Sequence, residues 1–168
     1  IINIKYETKF HNTRSYVSFH STGIDFVLNI EDYVLRKNIL IQDMINESNT
    51  VYEIRYDFDL NNEEINIKDE CVLNFVGGSF KNGTINFNNA KIISVGNNVL
   101  NDISLKGNYN GDFNVKWFNI DETKSCTLYL QNAINIIQGT KNTLYIPNGV
   151  YLLTPQENAG IKYHLFIS

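Results

Sequence analysis

Between Ile65 and Trp117, apolar residues come in pairs separated by a single polar residue, and the pairs return at a fixed interval. Ile65-Asn66-Ile67 is followed by Leu73-Asn74-Phe75 and Phe80, then Ile85-Asn86-Phe87 by Ile93-Ser94-Val95 and Leu100. A third unit opens at Leu105 and continues with Phe113-Asn114-Val115 and Ile120. One polar residue between two apolar ones is the signature of a strand with one buried face. The columns recur about twenty residues apart, as in chains that stack one repeat on the next. The pattern therefore predicts a mainly β chain, a short parallel β-solenoid of about 20 residues per coil. Phe75 and Val95 are among its expected inward positions.

The flanking patterns divide the chain into three. Residues 1–48 do not follow the register. Ile2 and Ile4 alternate, as does the stretch from Tyr16 to Phe19, and an apolar run from Ile24 to Ile30 follows Gly23. Leu35, Ile39, Leu40 and Met44 have partly helical spacing, and the segment reads as an arm or adaptor. Residues 49–120 form the expected stem. Its first coil places Ile54, Tyr56, Phe58 and Leu60 inward and Arg55, Asp57 and Asp59 outward. In this reading Ile54 and Tyr56 match Leu73 and Phe75. Turns fall at Asn61-Asn62, Gly77-Gly78, Asn82-Gly83 and Asn97-Asn98. Gly107 replaces an apolar residue of the third coil, so the stack is expected to loosen there.

Residues 121–168 change period. Leu130, Ala133, Ile134 and Ile137 mark one face of a helix over 127–138. Ser125 or Thr127 would cap its start and Gly139 its end. Strands are expected over 144–146, 150–153 and 163–167, with a turn at Pro147-Asn148-Gly149 and a loop over 155–160.

Two stretches carry a family resemblance. Thr127-x-x-Leu130-Gln131-x-Ala133-Ile134, followed by Leu144-Tyr-Ile146-Pro147-Asn-Gly149-Val150-Tyr151, resembles the opening of pectate-lyase-like right-handed β-helix proteins. The run from Tyr56 to Leu60, through Cys71 to Phe80 and Asn82 to Ile85, is similar to the segment preceding that opening in phage tail fibres and tailspikes. The phages concerned infect gut Bacteroides-type bacteria. Together these stretches span about residues 50–155. Ser125 stands where the family usually has an aspartate, exchanging a carboxylate cap for a hydroxyl. The resemblance implies a right-handed parallel β-helix opened by the helix, in a protein that binds or cleaves polysaccharide and assembles as a homotrimeric tail appendage.

Charge and composition narrow the classes. The chain has 168 residues, 43% of them hydrophobic, and a net charge of −4. That is enough to bury a core, and no basic patch points to nucleic acid. No apolar run reaches membrane-spanning length. Cys71 and Cys126 show no partner pattern and read as two unpaired thiols, Cys71 in a strand, rather than as a disulfide or metal site. Beginning at Ile1 and stopping after another apolar run at Ser168, the chain reads as a piece of a longer polypeptide.

The candidate chemistry is sparse. Glycoside cleavage needs two carboxylates at a set separation, and Asp57/Asp59, Glu63/Glu64 and Asp69/Glu70 are the pairs available. The first pair is explained by outward strand positions and the others by turns. Asp57-x-Asp59 lacks the glycine-rich loop of a calcium site, and His11, His20 and His164 lack ligand spacing. Asn46 and Asn82 stand in glycosylation-type triplets that an asparagine-rich chain produces by chance. Trp117 and Phe118 could stack on sugar, but the strand face leading to Trp117 points to core packing. No catalytic, metal or cofactor residue is assigned.

The expected role is therefore structural: a virion tail appendage in which residues 1–48 dock onto other tail or baseplate proteins. The stem would position a downstream region that meets cell-surface polysaccharide. The alternatives are the N-terminal part of a polysaccharide lyase or glycoside hydrolase, and an extracellular or bacterial-surface adhesin.

Overall fold

Alternating sequences place their apolar residues on one side of a strand, and that side is stable only when something covers it. Here successive passes of the chain cover one another. The computed structural model describes residues 39–158 and 161–167. The expectations for Ile2, Tyr16 and the run from Ile24 to Ile30 lie outside the described residues. The described chain is mainly β, a curled parallel sheet with one α-helix.

The strands are β1 (Val51–Ile54), β2 (Phe58–Asp59), β3 (Glu64–Ile67), β4 (Val72–Phe75), β5 (Phe80–Ser94), β6 (Leu100–Tyr109) and β7 (Phe113–Asn114). Helix α1 (Thr127–Ile137) follows, then β8 (Leu144–Tyr145), β9 (Gln156–Asn158) and β10 (Ile161–Tyr163). Strand β5 is the spine of the sheet. Its first part pairs with β2 and β3 on one side and β6 on the other, all parallel. Its last part pairs with β4, which pairs with β1. The sheet thus has two walls, and β5 bends from one into the other.

Asparagine makes the bends. Asn62, Asn82 and Asp102 occupy equivalent places and have φ of 63°, 55° and 51°. Asn49, Glu70 and Asn89 repeat the geometry at the second corner, with φ of 56°, 54° and 49°. The short polar side chains of asparagine and aspartate, at five of these six places, tolerate this left-handed region best, and Glu70 is the exception. The Asn82-Gly83 dipeptide therefore bends β5 without ending it, where a turn was expected.

On the first wall the twenty-residue register holds: Ile65 pairs with Ile85 and Ile85 with Leu105. On the second wall it does not. Leu73 lies beside Ile92 and Phe75 beside Ser94. Ile93 and Val95, expected inward, are 47% and 101% exposed. The corner from Phe87 to Ile92 is one residue shorter than the corner from Ile67 to Leu73, and the next corner, to Leu100, is one longer. A slip of one residue reverses every side chain. Because the two changes cancel, the spacing from Ile85 to Leu105 and from Phe80 to Leu100 conceals the slip. The first pass also differs from the expected register, since Tyr52 pairs with Leu73 and Ile54 with Phe75. Tyr56 lies at a corner, 40% exposed.

Gly107 does not loosen the third pass. It pairs with Phe87, at φ +86°, where a Cβ would collide with the Phe87 carbonyl oxygen. The strand continues to Tyr109, which is buried against Phe87 with ring centroids 5.0 Å apart. Phe118, not Ile120, continues the column of Phe80 and Leu100. Trp117 lies in the core, edge-on to Phe113 at 5.1 Å.

Helix α1 buries Thr127, Leu130, Ala133 and Ile136, while Ile134 and Ile137 are half-buried. Cys126 takes the cap position, and Ser125 Oγ lies 3.4 Å from the Thr127 nitrogen. Gly139 follows at φ +74°. The helix packs on β6, and Asn132 Oδ1 accepts from the Leu105 N–H at 3.0 Å. It therefore covers the edge of the first wall that the third pass exposes. Beyond it, β8 pairs in parallel with β7, and Leu152 bridges Ser125. The expected strand over 150–153 is reduced to that bridge. The expected loop over 155–160 contributes β9, which pairs antiparallel with β10. Upstream, Ile39 bridges Asp59 and Gln42–Met44 form one 3-10 turn, so the described part of the partly helical reading does not form an α-helix. Leu40, Met44 and Ile45 join the core beside Tyr52.

Candidate functional site

The corners after the second wall, where β1, β4 and β5 each leave it, enclose a cleft of about 250 Å³. It is lined by Asp57, by residues 75–79 and by residues 94–99. Phe75 and Val99 are buried at its base, while Val76 and Val95 stand exposed. Gly78 is required here because a Cβ would strike the Tyr56 backbone. Ser79 Oγ donates to Asp57 Oδ1 at 2.8 Å. Ser94 Oγ accepts from the Gly96 N–H and donates to the Gly96 carbonyl, both at 3.1 Å.

The cleft offers one carboxylate, two hydroxyls and the amides of Asn97 and Asn98 beside exposed valine. Such a lining can hold a small polar group against an apolar wall. It does not assemble the two-carboxylate arrangement of a glycosidase or a nucleophile with an adjacent base.

The other carboxylates are accounted for locally. Asp59, expected to face solvent, is only 2% exposed. Its Oδ1 accepts from the Asn61 N–H at 2.8 Å and its Oδ2 from Asn82 Nδ2 at 3.2 Å, with Lys81 Nζ 3.9 Å away. It thus ties the turn after β2 to the bend in β5. The bridge from Ile39, with Leu40 N–H donating to the Asp59 carbonyl, covers its other side. Asp57 is exposed, so the two aspartates do not converge. Glu64 accepts from Lys106 Nζ at 2.6 Å and from Asn86 Nδ2 at 3.1 Å. The lysine donor holds its carboxyl below the usual carboxylate range. Glu63 is exposed at a turn, and Glu70 is exposed in left-handed geometry. Asp69 accepts from Asn89 Nδ2 at 3.0 Å, and Asn89 Oδ1 accepts from Asn110 Nδ2 at 2.8 Å, a ladder along the corner.

Cys71 and Cys126 are buried free thiols whose sulfurs approach the Glu47 and Leu152 carbonyls. Burial pushes the Cys126 thiol up. His164 is exposed, and His11 and His20 lie outside the described residues. Among the described residues, no three His, Cys, Asp or Glu side chains stand together as a metal site. No helix among them is long and apolar enough to cross a membrane. Asn82, in a glycosylation-type triplet, is half-buried with its amide on Asp59.

Two apolar surfaces remain. The outer side of the second wall presents Val51, Val76, Ile93 and Val95. Around the last described strands, Tyr145, Ile146, Val150, Leu152, Phe166 and Ile167 are exposed. The sequence pattern missed the first surface because the register slip turns Ile93 and Val95 outward. It also missed the polar work of Gln42, Gln131 and Tyr109. Only the local bond of Asp59 had a clue in the sequence, since an aspartate two residues before Asn61 favours side-chain to backbone bonding, whereas its burial had none.

No family model, no curated protein and no solved structure matches this chain.

Proposed function

We propose that this chain is a structural part of a phage tail fibre or tailspike, the stem that positions a receptor- or polysaccharide-binding region. In this reading the curled sheet is a short right-handed parallel β-solenoid of about 20 residues per coil. Helix α1 then opens a pectate-lyase-like β-helix.

The observation that carries the reading is what happens on either side of α1. Parallel stacking runs through β6, the helix covers the wall at Leu105, and stacking resumes as β8 pairs with β7. That order, with Pro147-Asn148-Gly149-Val150-Tyr151 after β8, agrees with the resemblance to the opening of pectate-lyase-like β-helix proteins. Residues 1–48 would dock onto other tail or baseplate proteins. The outer face with Val51, Val76, Ile93 and Val95 offers apolar surface for association into a homotrimer. The chain itself acts as scaffold, and its localisation is the virion tail.

Two measurements test this. Antibodies raised against the chain should label the tail of intact phage particles, and labelling absent from every virion would sink the reading. Light scattering on the protein joined to its downstream sequence should return three copies, and a persistent monomer would remove the homotrimer.

A further inference from the structure

Three Asn-Gly pairs occur in the chain, at Asn82-Gly83, Asn110-Gly111 and Asn148-Gly149. This dipeptide can close on itself, because glycine places no side chain in the way of its own nitrogen. The nitrogen of the glycine attacks Cγ of the asparagine and loses its proton, and the side-chain amide departs as ammonia. Water then opens the five-membered imide. Cleavage at the side-chain carbonyl leaves aspartate, and cleavage at the main-chain carbonyl leaves isoaspartate, with the peptide running through the former side chain.

The three pairs sit in different surroundings. Asn82 is half-buried inside β5, its Nδ2 donating to Asp59 and its carbonyl accepting from the Asn62 N–H. Gly83 is pressed so closely against Leu60 and the Glu63 carbonyl that even a Cβ would collide with them. Asn110 is exposed, but its Nδ2 donates to Asn89 Oδ1 at 2.8 Å and its N–H to the Ala90 carbonyl. Asn148 and Gly149 are both exposed, in the turn after β8. Among the described residues, neither the Asn148 side chain nor the Gly149 nitrogen makes a hydrogen bond. The turn is closed around them, with Tyr151 Oη donating to the Pro147 carbonyl at 2.7 Å.

We infer that Asn148 is a site of spontaneous deamidation, the one Asn-Gly pair that the fold leaves reactive while holding the other two. The consequence is local. A Cβ on Gly149 would lie 3.0 Å from Lys116 Nζ, so an ammonium group stands close to the glycine whose nitrogen closes the imide. Lys116 also lies 5.6 Å from the centre of the Tyr151 ring and accepts from the Asn98 N–H through its carbonyl. Modification therefore adds negative charge where the third pass of the sheet meets the chain that follows α1.

The test is peptide mapping of the full chain after incubation in mildly alkaline buffer, folded and in concentrated urea, with isoaspartate read by enzymatic methylation. In urea the three sites should convert at similar rates. In the folded chain Asn148 should keep close to its urea rate, while Asn110 falls by about tenfold because its amide must first leave Asn89. Asn82 should be slowest. Asn89→Ala should raise conversion at Asn110 and leave Asn148 unchanged. Gly149→Ala should slow Asn148 and leave Asn110 unchanged. Folded Asn148 reacting as slowly as Asn82, or Asn82 reacting as fast as Asn148, would overturn the inference.

Discussion

The side-chain amide of Gln42 grips the backbone of Asn66 from both sides. Its Oε1 accepts from the Asn66 N–H at 2.7 Å, and its Nε2 donates to the Asn66 carbonyl at 2.9 Å. Strand β3 lies at the edge of the first wall, and an unpaired edge is a template for other chains. The glutamine occupies the place of a neighbouring strand for one residue. Gln131 treats Phe166 in the same way, with bonds of 2.7 and 2.8 Å.

Gln42→Ala should therefore cost about 1 kcal/mol, read as a lower urea midpoint. Gln42→Glu keeps the acceptor but loses the donor to the Asn66 and Ile45 carbonyls. Its deficit relative to the parent should shrink at acidic pH, where the carboxyl regains a proton to donate. A deficit independent of pH would mean that the clamp is not what the substitution removes.

The register slip gives a sharper contrast. Phe75 is buried, with its ring 5.0 Å from Phe80, whereas Val95 is fully exposed. Phe75→Ala should cost about 3–5 kcal/mol. Val95→Asp should stay within about 0.5 kcal/mol in the isolated chain. Denaturant unfolding of the two variants decides the matter, and equal losses would restore the uniform twenty-residue register.

Gly107 is held at φ +86° against the Phe87 backbone. Gly107→Ala adds both left-handed strain and a collision with main chain that has no rotamer to escape through. A loss above about 1 kcal/mol is expected, compared by thermal melting with Gly139→Ala. Gly139 is also left-handed but has open space around its Cα, so its alanine variant bears the backbone strain alone.

Tyr109 couples the sheet to alkaline pH. Its hydroxyl accepts from the Ile92 N–H at 3.3 Å and donates to the Asp112 carbonyl at 3.1 Å. Burial pushes it well above the usual phenol range, and burial together with Asp102 pushes Tyr129 up to about 12. In the unfolded chain these phenols lose their protons near pH 10. Above that pH the unfolded state binds fewer protons than the folded state, so stability falls as pH rises. Urea midpoints should decline from about pH 10 upward. The decline should be shallower in Tyr109→Phe, which at neutral pH costs about 1–3 kcal/mol by leaving the Ile92 N–H without its acceptor.

The polar and apolar pattern alone determined the strands around Ile65, Ile85 and Leu105, the helix from Thr127 and the left-handed turn at Asn61-Asn62. Each rests on period or on a residue's own backbone preference, which are local properties. What the pattern could not reveal was corner length. One short corner before Ile92 and one long corner before Leu100 cancel over a full repeat, so the sequence columns look unbroken while Ile93 and Val95 face outward. The fate of Asp59 was equally hidden, because its burial depends on Lys81, Asn82 and Ile39 arriving from other passes of the chain. Tertiary structure decided these positions because burial and hydrogen bonding are set by neighbours brought together across the sheet, not by neighbours along the chain.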